Sequence, residues 1–264
     1  MATGYASPLL RLRCIITTAL TDADVARDAA LLDVEESEKL GRFVAAEDRR
    51  DYAAAHALLR RMLTTAAPNI APEEWRFECT ARGKPYLRAM LAGAPPFRFS
   101  LSHTRGLVAC VVSSDAEVGI DVECGSRTVD LELLMPGVCS IDEQAQVCAA
   151  APSARAEHFL DLWTLKEAYV KARGVGIAVA LDQVSFDLRT PAAISASLPE
   201  KTVDGWWFAL IKLSAESRIG VAIATDSRAA PVLDAAIVGT EGSQTPLHPI
   251  RTSAPSRPAS ASAD

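Results

Sequence analysis

A chain of 264 residues that is 49% hydrophobic and 23% charged has the composition of a folded protein, with mass for one large domain or two small ones, so disorder throughout is excluded. Lys and Arg number 27 against 33 Asp and Glu, for a net charge of −6. No global positive field is available to hold nucleic acid or anionic lipid, and an anionic ligand must be met by a local basic pocket. Six cysteines without a CxxC pair, several in apolar runs such as Val108 to Val112, argue against a zinc site or a disulfide framework. Two arginines interrupt the apolar stretch from Pro8 to Ile16, and no run approaches the roughly 20 apolar residues a membrane span needs. A cytoplasmic protein with reduced thiols, in contact with neither membrane nor nucleic acid, is the expectation.

Residues 9 to 20 read as a first strand, and Thr21-Asp22-Ala23-Asp24 supplies helix-start chemistry. From Glu35 to Leu63 the chain reads helical, with Tyr52, Ala55, Leu59, Met62 and Leu63 at helical spacing. The arginines around them (Arg42, Arg49, Arg50, Arg60 and Arg61) read as a solvated face. Ala81-Arg82-Gly83-Lys84-Pro85-Tyr86 is a turn, and strands over Phe97 to Ser102 and Leu107 to Ser113 flank a polar loop containing His103. A short strand follows at Glu117 to Glu123. Ser140-Ile141-Asp142-Glu143 fits a capping box, Glu157 to Ala172 a longer helix stopped by Gly174 and Gly176, and Trp206 to Leu213 with Arg218 to Thr225 a hairpin. Leu107 to Asp115 and Ile219 to Asp226 echo one another, which suggests two similar halves, 1–115 and 116–228. The Pro-, Ser- and Ala-rich tail, 229–264, is expected to be disordered and outside the fold.

Two segments carry chemistry. In Val118-Gly119-Ile120-Asp121-Val122-Glu123, strand alternation puts both acids on one face and the aliphatic residues on the other, which suits either a solvated edge or a paired-acid site. In Trp163-Thr164-Leu165-Lys166-Glu167-Ala168-Tyr169-Val170-Lys171, helical spacing lines up Trp163, Glu167 and Lys171, where Glu167 and Lys171 alone are an ordinary surface pair.

Together, Gly-Ile-Asp-x-Glu followed about 45 residues later by Trp-Thr-x-Lys-Glu-Ala-x-x-Lys resembles the bipartite signature of the 4′-phosphopantetheinyl transferases, of the Sfp (surfactin-synthetase-activating) type. The resemblance runs from about Arg42 to Asp226 and includes Gly83-Lys84-Pro85, Phe99-Ser100-Leu101-Ser102-His103 and Ser140-x-x-Glu143. It implies an α+β fold of two pseudo-symmetric α/β halves in one chain, sufficient as a monomer, with coenzyme A and Mg2+ in the cleft between them. By the same resemblance Asp121, Glu123 and Glu167 are metal ligands, with Glu167 doubling as base, and Lys171 contacts the diphosphate. Ser102 and His103 meet the 3′-phosphate of coenzyme A, Lys84 and Pro85 line the nucleotide site, and Glu143 is a secondary acid near the metal. Where the family often carries a basic residue before the position of Tyr52 this chain has Asp51, so Arg42, Arg49 or Arg50 must supply phosphate contacts.

Physical chemistry agrees with a hard cation. Three carboxylates converging within about 4 Å repel by roughly 4 kcal/mol per pair at an effective dielectric of about 20, and Mg2+ takes oxygen ligands where zinc would recruit His or Cys. The implied reaction moves the phosphopantetheine arm to a serine of an apo acyl, peptidyl or aryl carrier protein. The competing readings are a non-catalytic homologue that binds carrier or nucleotide, and a magnesium pyrophosphohydrolase, which would need the paired acids without the Ser-His and Gly-Lys-Pro segments.

Overall fold

The computed structural model describes residues 9–88, 96–114, 116–124, 130–176, 180–199, 205–225, 229–240 and 242–254. In chain order the elements are β1 (Leu9–Ile16), α1 (Asp22–Ala29), α2 (Val34–Arg42), α3 (Ala46–Ala66), β2 (Phe77–Cys79), β3 (Pro85–Leu87), β4 (Arg98–Thr104), β5 (Leu107–Ser113) and β6 (Val118–Cys124). There follow α4 (Leu131–Val138), α5 (Ile141–Ala149), α6 (Arg155–Arg173), β7 (Ser185–Asp187), β8 (Ala193–Ser197), β9 (Gly205–Lys212), β10 (Ser217–Thr225), β11 (Val232–Val238), β12 (Gln244–Pro246) and β13 (Arg251–Ser253).

Period-two alternation in the strands sorts these elements into four layers. One sheet has the order β12-β11-β1-β5-β4 and the second β6-β10-β9-β13-β8-β7. Leu10, Leu12, Ala109 and Val111 of the first sheet meet Ile120, Val122, Trp207, Ile219 and Val221 of the second in a buried apolar layer. The other face of the first sheet, with Val108, Cys110, Val112 and Phe99, packs on Ala55, Leu58, Leu59 and Leu63 of α3. The other face of the second, with Trp206, Phe208, Leu210 and Ala222, packs on Phe159, Leu162, Leu165 and Tyr169 of α6. The echoed segments are β5 and β10, each flanked by a strand on both sides within its own sheet. The mixed α+β architecture is as the sequence implied; Asp115, at the expected junction of the halves, lies outside the described residues.

Three expectations change. The helix expected from Glu35 to Leu63 is two helices. A reciprocal capping box of Asp33 and Glu36 starts α2, and the backbone turns extended at Phe43, whose ring folds back to 5.2 Å from that of Tyr52. Apolar spacing does not register such a break, because α2 offers only an exposed Val34 and a half-buried Leu40 and so no apolar stripe whose end could be read.

Arg60 is not on a solvated face but fully buried. Its guanidinium donates to the carbonyls of Pro72 (3.0 Å) and Trp75 (2.8 Å) and to Asp33 (3.3 Å) and Glu36 (2.5 Å), tying α2 and the chain after α3 to α3. Five fixed donors make Arg the residue able to satisfy four acceptors from two segments at once.

The tail is not outside the fold through Ser253. β11 pairs in parallel with β1 over Leu9–Cys14, placing Ala235 in the layer between the sheets. β13 slots between β9 and β8, where the buried Ser253 hydroxyl accepts from the Phe208 amide at 2.9 Å. Composition averaged over 36 residues hides one seven-residue apolar strand and two three-residue strands held by backbone hydrogen bonds. Residues 255–264 lie outside the described residues.

Candidate active site

The two sheets meet at a corner where β4, the edge of the first, runs beside β6, the edge of the second. Serine hydroxyls bridge them: Ser100 Oγ accepts from Ile120 N and Ser102 Oγ from Val122 N, both at 3.2 Å. This fixes Asp121, whose side chain points away from the aliphatic layer and toward α6.

Glycine sets how near α6 can come. A Cβ on Gly119 would overlap the Ala168 carbonyl oxygen and the Ala172 nitrogen, and one on Gly220 would stand 2.5 Å from the Thr164 carbonyl oxygen. The helix backbone therefore lies directly on β6 and β10, and the stripe of Trp163, Glu167 and Lys171 is laid over the strand acids. Gly174, in the left-handed conformation at φ 62°, ends the helix just beyond Lys171.

Lys171 Nζ donates to Asp121 Oδ1 at 2.6 Å and to Ser102 Oγ at 2.9 Å, and Ser102 Oγ donates to the same Asp121 oxygen at 2.9 Å. Asp121 is 4% exposed, and its Oδ2 is buried without a hydrogen-bond partner among the described residues. One residue along the same face, Glu123 Oε1 accepts from the Trp163 indole at 3.0 Å. Burial raises the proton affinity of Glu167; the charge of Asp121 adds to the rise and Lys171 opposes it. Strand alternation and helix spacing thus bring Asp121, Glu123 and Glu167 to one α6–β6 interface, but not into a ready cage. Among the described residues no three His, Cys, Asp or Glu side chains converge on a metal-sized point. An amine and an indole hold two of the acids instead.

Beside this cluster lies a cavity of about 480 Å3. Arg82, Gly83, Lys84 and Pro85 form one wall, Phe99, Ser100 and Leu101 of β4 another, and Glu167, Val170 and Lys171 of α6 a third. Its size and mixed lining suit a small-molecule ligand.

Other expected site residues fall differently. Ser102 and His103 lie on opposite faces of β4, so they do not converge on one group; the Ser102 hydroxyl is already engaged with Asp121, Lys171 and Val122, while the His103 ring is exposed. Desolvation by neighbouring atoms lowers the proton affinity of His103, opposed by Asp51 and Asp48 and assisted by Lys171 and His56. Lys84 Nζ is held by Glu117 Oε2 and the Ala172 carbonyl, both at 2.5 Å, so it clasps the Gly83 turn to the end of α6. Arg42 is exposed, 3.8 Å from Glu38; Arg50 on α3 has its Nε buried without a hydrogen-bond partner among the described residues.

Glu143 is not near these acids. It is fully buried, closes the capping box with Ser140, accepts from Phe186 N at 2.8 Å and pairs with Lys166 at 2.5 Å. Lys166 in turn donates to the carbonyls of Val138 and Leu181 at 2.8 Å and of Val184. Sequence reading passed over Lys166, although its place beside Leu162, Leu165 and Tyr169 on the apolar face of α6 was a signal. Asp51, conspicuous as an acid where a base was expected, is 2% exposed and accepts from the Thr17 hydroxyl and, at 3.1 Å, from Gly106 N. It braces the β4–β5 turn.

A phosphopantetheinyl transferase of Thraustochytrium sp. is 32% identical over 227 residues, covering 80% of this chain and 77% of that one. The chain belongs to the 4′-phosphopantetheinyl transferase superfamily. The sequence pattern of that superfamily matches residues 117–224, and a second pattern, the N-terminal region of 4′-phosphopantetheinyl transferases, matches 20–115. The chain is also similar to Bacillus subtilis Sfp, at 26% identity over 69% of this chain and 77% of that one. The match to the Nostoc sp. transferase HetI, 34% identical over 57% of this chain, spans 62% of HetI. β6 and α6 of this chain fall in the segment matched by the first pattern and the Gly83 turn and β4 in that matched by the second, so the cavity is built from both. No helix among the described residues is long and apolar enough to cross a membrane.

Proposed function

We propose that this chain transfers the 4′-phosphopantetheine group of coenzyme A to a serine of an apo acyl or peptidyl carrier protein in a Mg2+-dependent reaction, releasing 3′,5′-ADP. The observation that carries the reading is that Glu167 and Lys171, which line the 480 Å3 cavity, meet the buried Asp121 just behind its wall. Fit to a hard cation is supported by the buried, unpartnered Asp121 Oδ2 and by an all-carboxylate donor set. Asp121, Glu123 and Glu167 would hold the ion. Bound there, Mg2+ would offset charge on the diphosphate as the phosphorus–oxygen bond to the leaving nucleotide breaks.

The chain's own groups perform the remaining work. Lys171, on the cavity wall, can bring its ammonium from Asp121 to diphosphate oxygens in the cavity, a charge-assisted contact worth about 1.5–3 kcal/mol. Glu167, whose proton affinity burial raises, is suited to take the proton of the attacking serine hydroxyl directly or through one water. Phe99 and Leu101 give the cavity an apolar wall, and Lys84 and Pro85 on the opposite turn would line the nucleotide. The test is incubation with coenzyme A, Mg2+ and an apo-carrier, read as a mass gain on the carrier of one phosphopantetheine. The gain should vanish with chelator and with a carrier lacking its serine. Hydrolysis of coenzyme A with no gain on any carrier would refute transfer in favour of a hydrolase.

A further inference from the structure

Lys171 lies where a cation is expected, and this carries an inference that rests on the metal reading above. Its ammonium sits 2.6 Å from Asp121 Oδ1 with Ser102 Oγ as a second acceptor at 2.9 Å. The other carboxylate oxygen is buried and unpartnered among the described residues, so one carboxylate has a monovalent cation on one oxygen and a vacant acceptor on the other. Asp121 cannot follow the lysine elsewhere: it is 6% exposed in its side chain and pinned by Ser102 on a strand hydrogen-bonded to β10. The lysine can move, since its side chain is 32% exposed on a four-carbon stem and forms part of the cavity wall. Two cations cannot share Asp121 without repulsion in a site so little hydrated. A diphosphate in the cavity offers the ammonium a new anionic partner within reach.

We infer that Lys171 is a resident counter-ion of Asp121, which makes divalent-cation binding conditional on a diphosphate that draws the lysine away. Metal and diphosphate then bind with positive coupling, and by linkage each raises the affinity for the other by the same factor. The test is Mn2+ binding, read by electron paramagnetic resonance, with no turnover involved. The parent should bind Mn2+ weakly, and coenzyme A should tighten it at least tenfold whereas pantetheine, which lacks the diphosphate, should not. Lys171→Met should bind Mn2+ alone at least tenfold more tightly than the parent, and Lys171→Arg, which keeps the charge, should remain as weak as the parent. Asp121→Asn should bind poorly throughout. If Asp121→Asn loses the ion while Lys171→Met and the parent bind it equally without coenzyme A, the counter-ion role is overturned and the metal site stands. If, with coenzyme A present, Asp121→Asn binds Mn2+ as tightly as the parent does, the metal site itself is wrong. Should Lys171→Met not fold, tightening of the parent by pantetheine as strong as that by coenzyme A would overturn the inference by itself.

Discussion

Adding one methyl group under α6 should uncouple the site without touching any polar residue. In Gly220→Ala the new Cβ would stand 2.5 Å from the Thr164 carbonyl oxygen and 2.8 Å from its carbon, against an ordinary contact of about 3.4 Å or more. Backbone atoms cannot rotate away as a side chain could, so α6 must retreat by about 1 Å. Overpacking of this kind costs about 1–3 kcal/mol, or roughly 2–12 °C in Tm for a chain of this size. Because the same helix carries Glu167 and Lys171, a retreat of about 1 Å is expected to lower kcat/KM roughly a hundredfold. Gly119→Ala, whose Cβ would overlap two backbone atoms nearer to Asp121, should be worse on both counts. The assay is holo-carrier formation beside thermal melting, with Ala209→Gly as a control that lightens the layer away from α6. Parent-like turnover and Tm in Gly119→Ala would refute the claim that close helix–strand contact sets the site.

Glu36 gives a pH-dependent test of the first half. Burial pushes its carboxyl up, but His56 and Arg60 pull it from 4.5 to about 2. A depressed carboxyl stabilises the fold above its unfolded pKa and loses that contribution as pH falls toward 2, so Glu36→Gln should cost roughly 3 kcal/mol at pH 7 and progressively less below pH 4.5 by denaturant titration. Glu167 has the opposite sign: its folded pKa is raised, so its charge destabilises the metal-free protein as pH rises past it. Glu167→Gln should therefore be more stable than the parent at pH 8 in chelator, with the difference gone below about pH 4. Truncation after Ala230 removes β11 and β13 and should abolish cooperative unfolding, whereas truncation after Ala254 should leave Tm unchanged. A parent-like melt of the shorter chain would show that the two strands add nothing.

How much of this was legible beforehand depends on whether the signal is local. Period-two alternation in Val118 to Glu123 and 3.6-residue spacing in Trp163 to Lys171 are written in consecutive residues, so the strand acids, the helix stripe and the aliphatic layer under them were readable, as were the helix start at Thr21 and the capping box at Ser140. So were the family and its two halves, because the Gly-Ile-Asp-x-Glu and Trp-Thr-x-Lys-Glu segments constrain each other at a distance. What tertiary structure alone decided are partnerships between residues far apart in sequence. Nothing near Arg60 says that it will be buried against Asp33, Glu36, Pro72 and Trp75, and nothing near Glu143 says that Lys166 will meet it rather than a metal. Charged side chains are read from sequence as solvated because burial without a partner costs several kcal/mol, and the partner that removes the cost is supplied only by folding. The same holds for the last strands, whose stability comes from ladders to β1 and β9 and not from their own residues, and for Lys171, whose place on Asp121 exists only once α6 lies on two glycines.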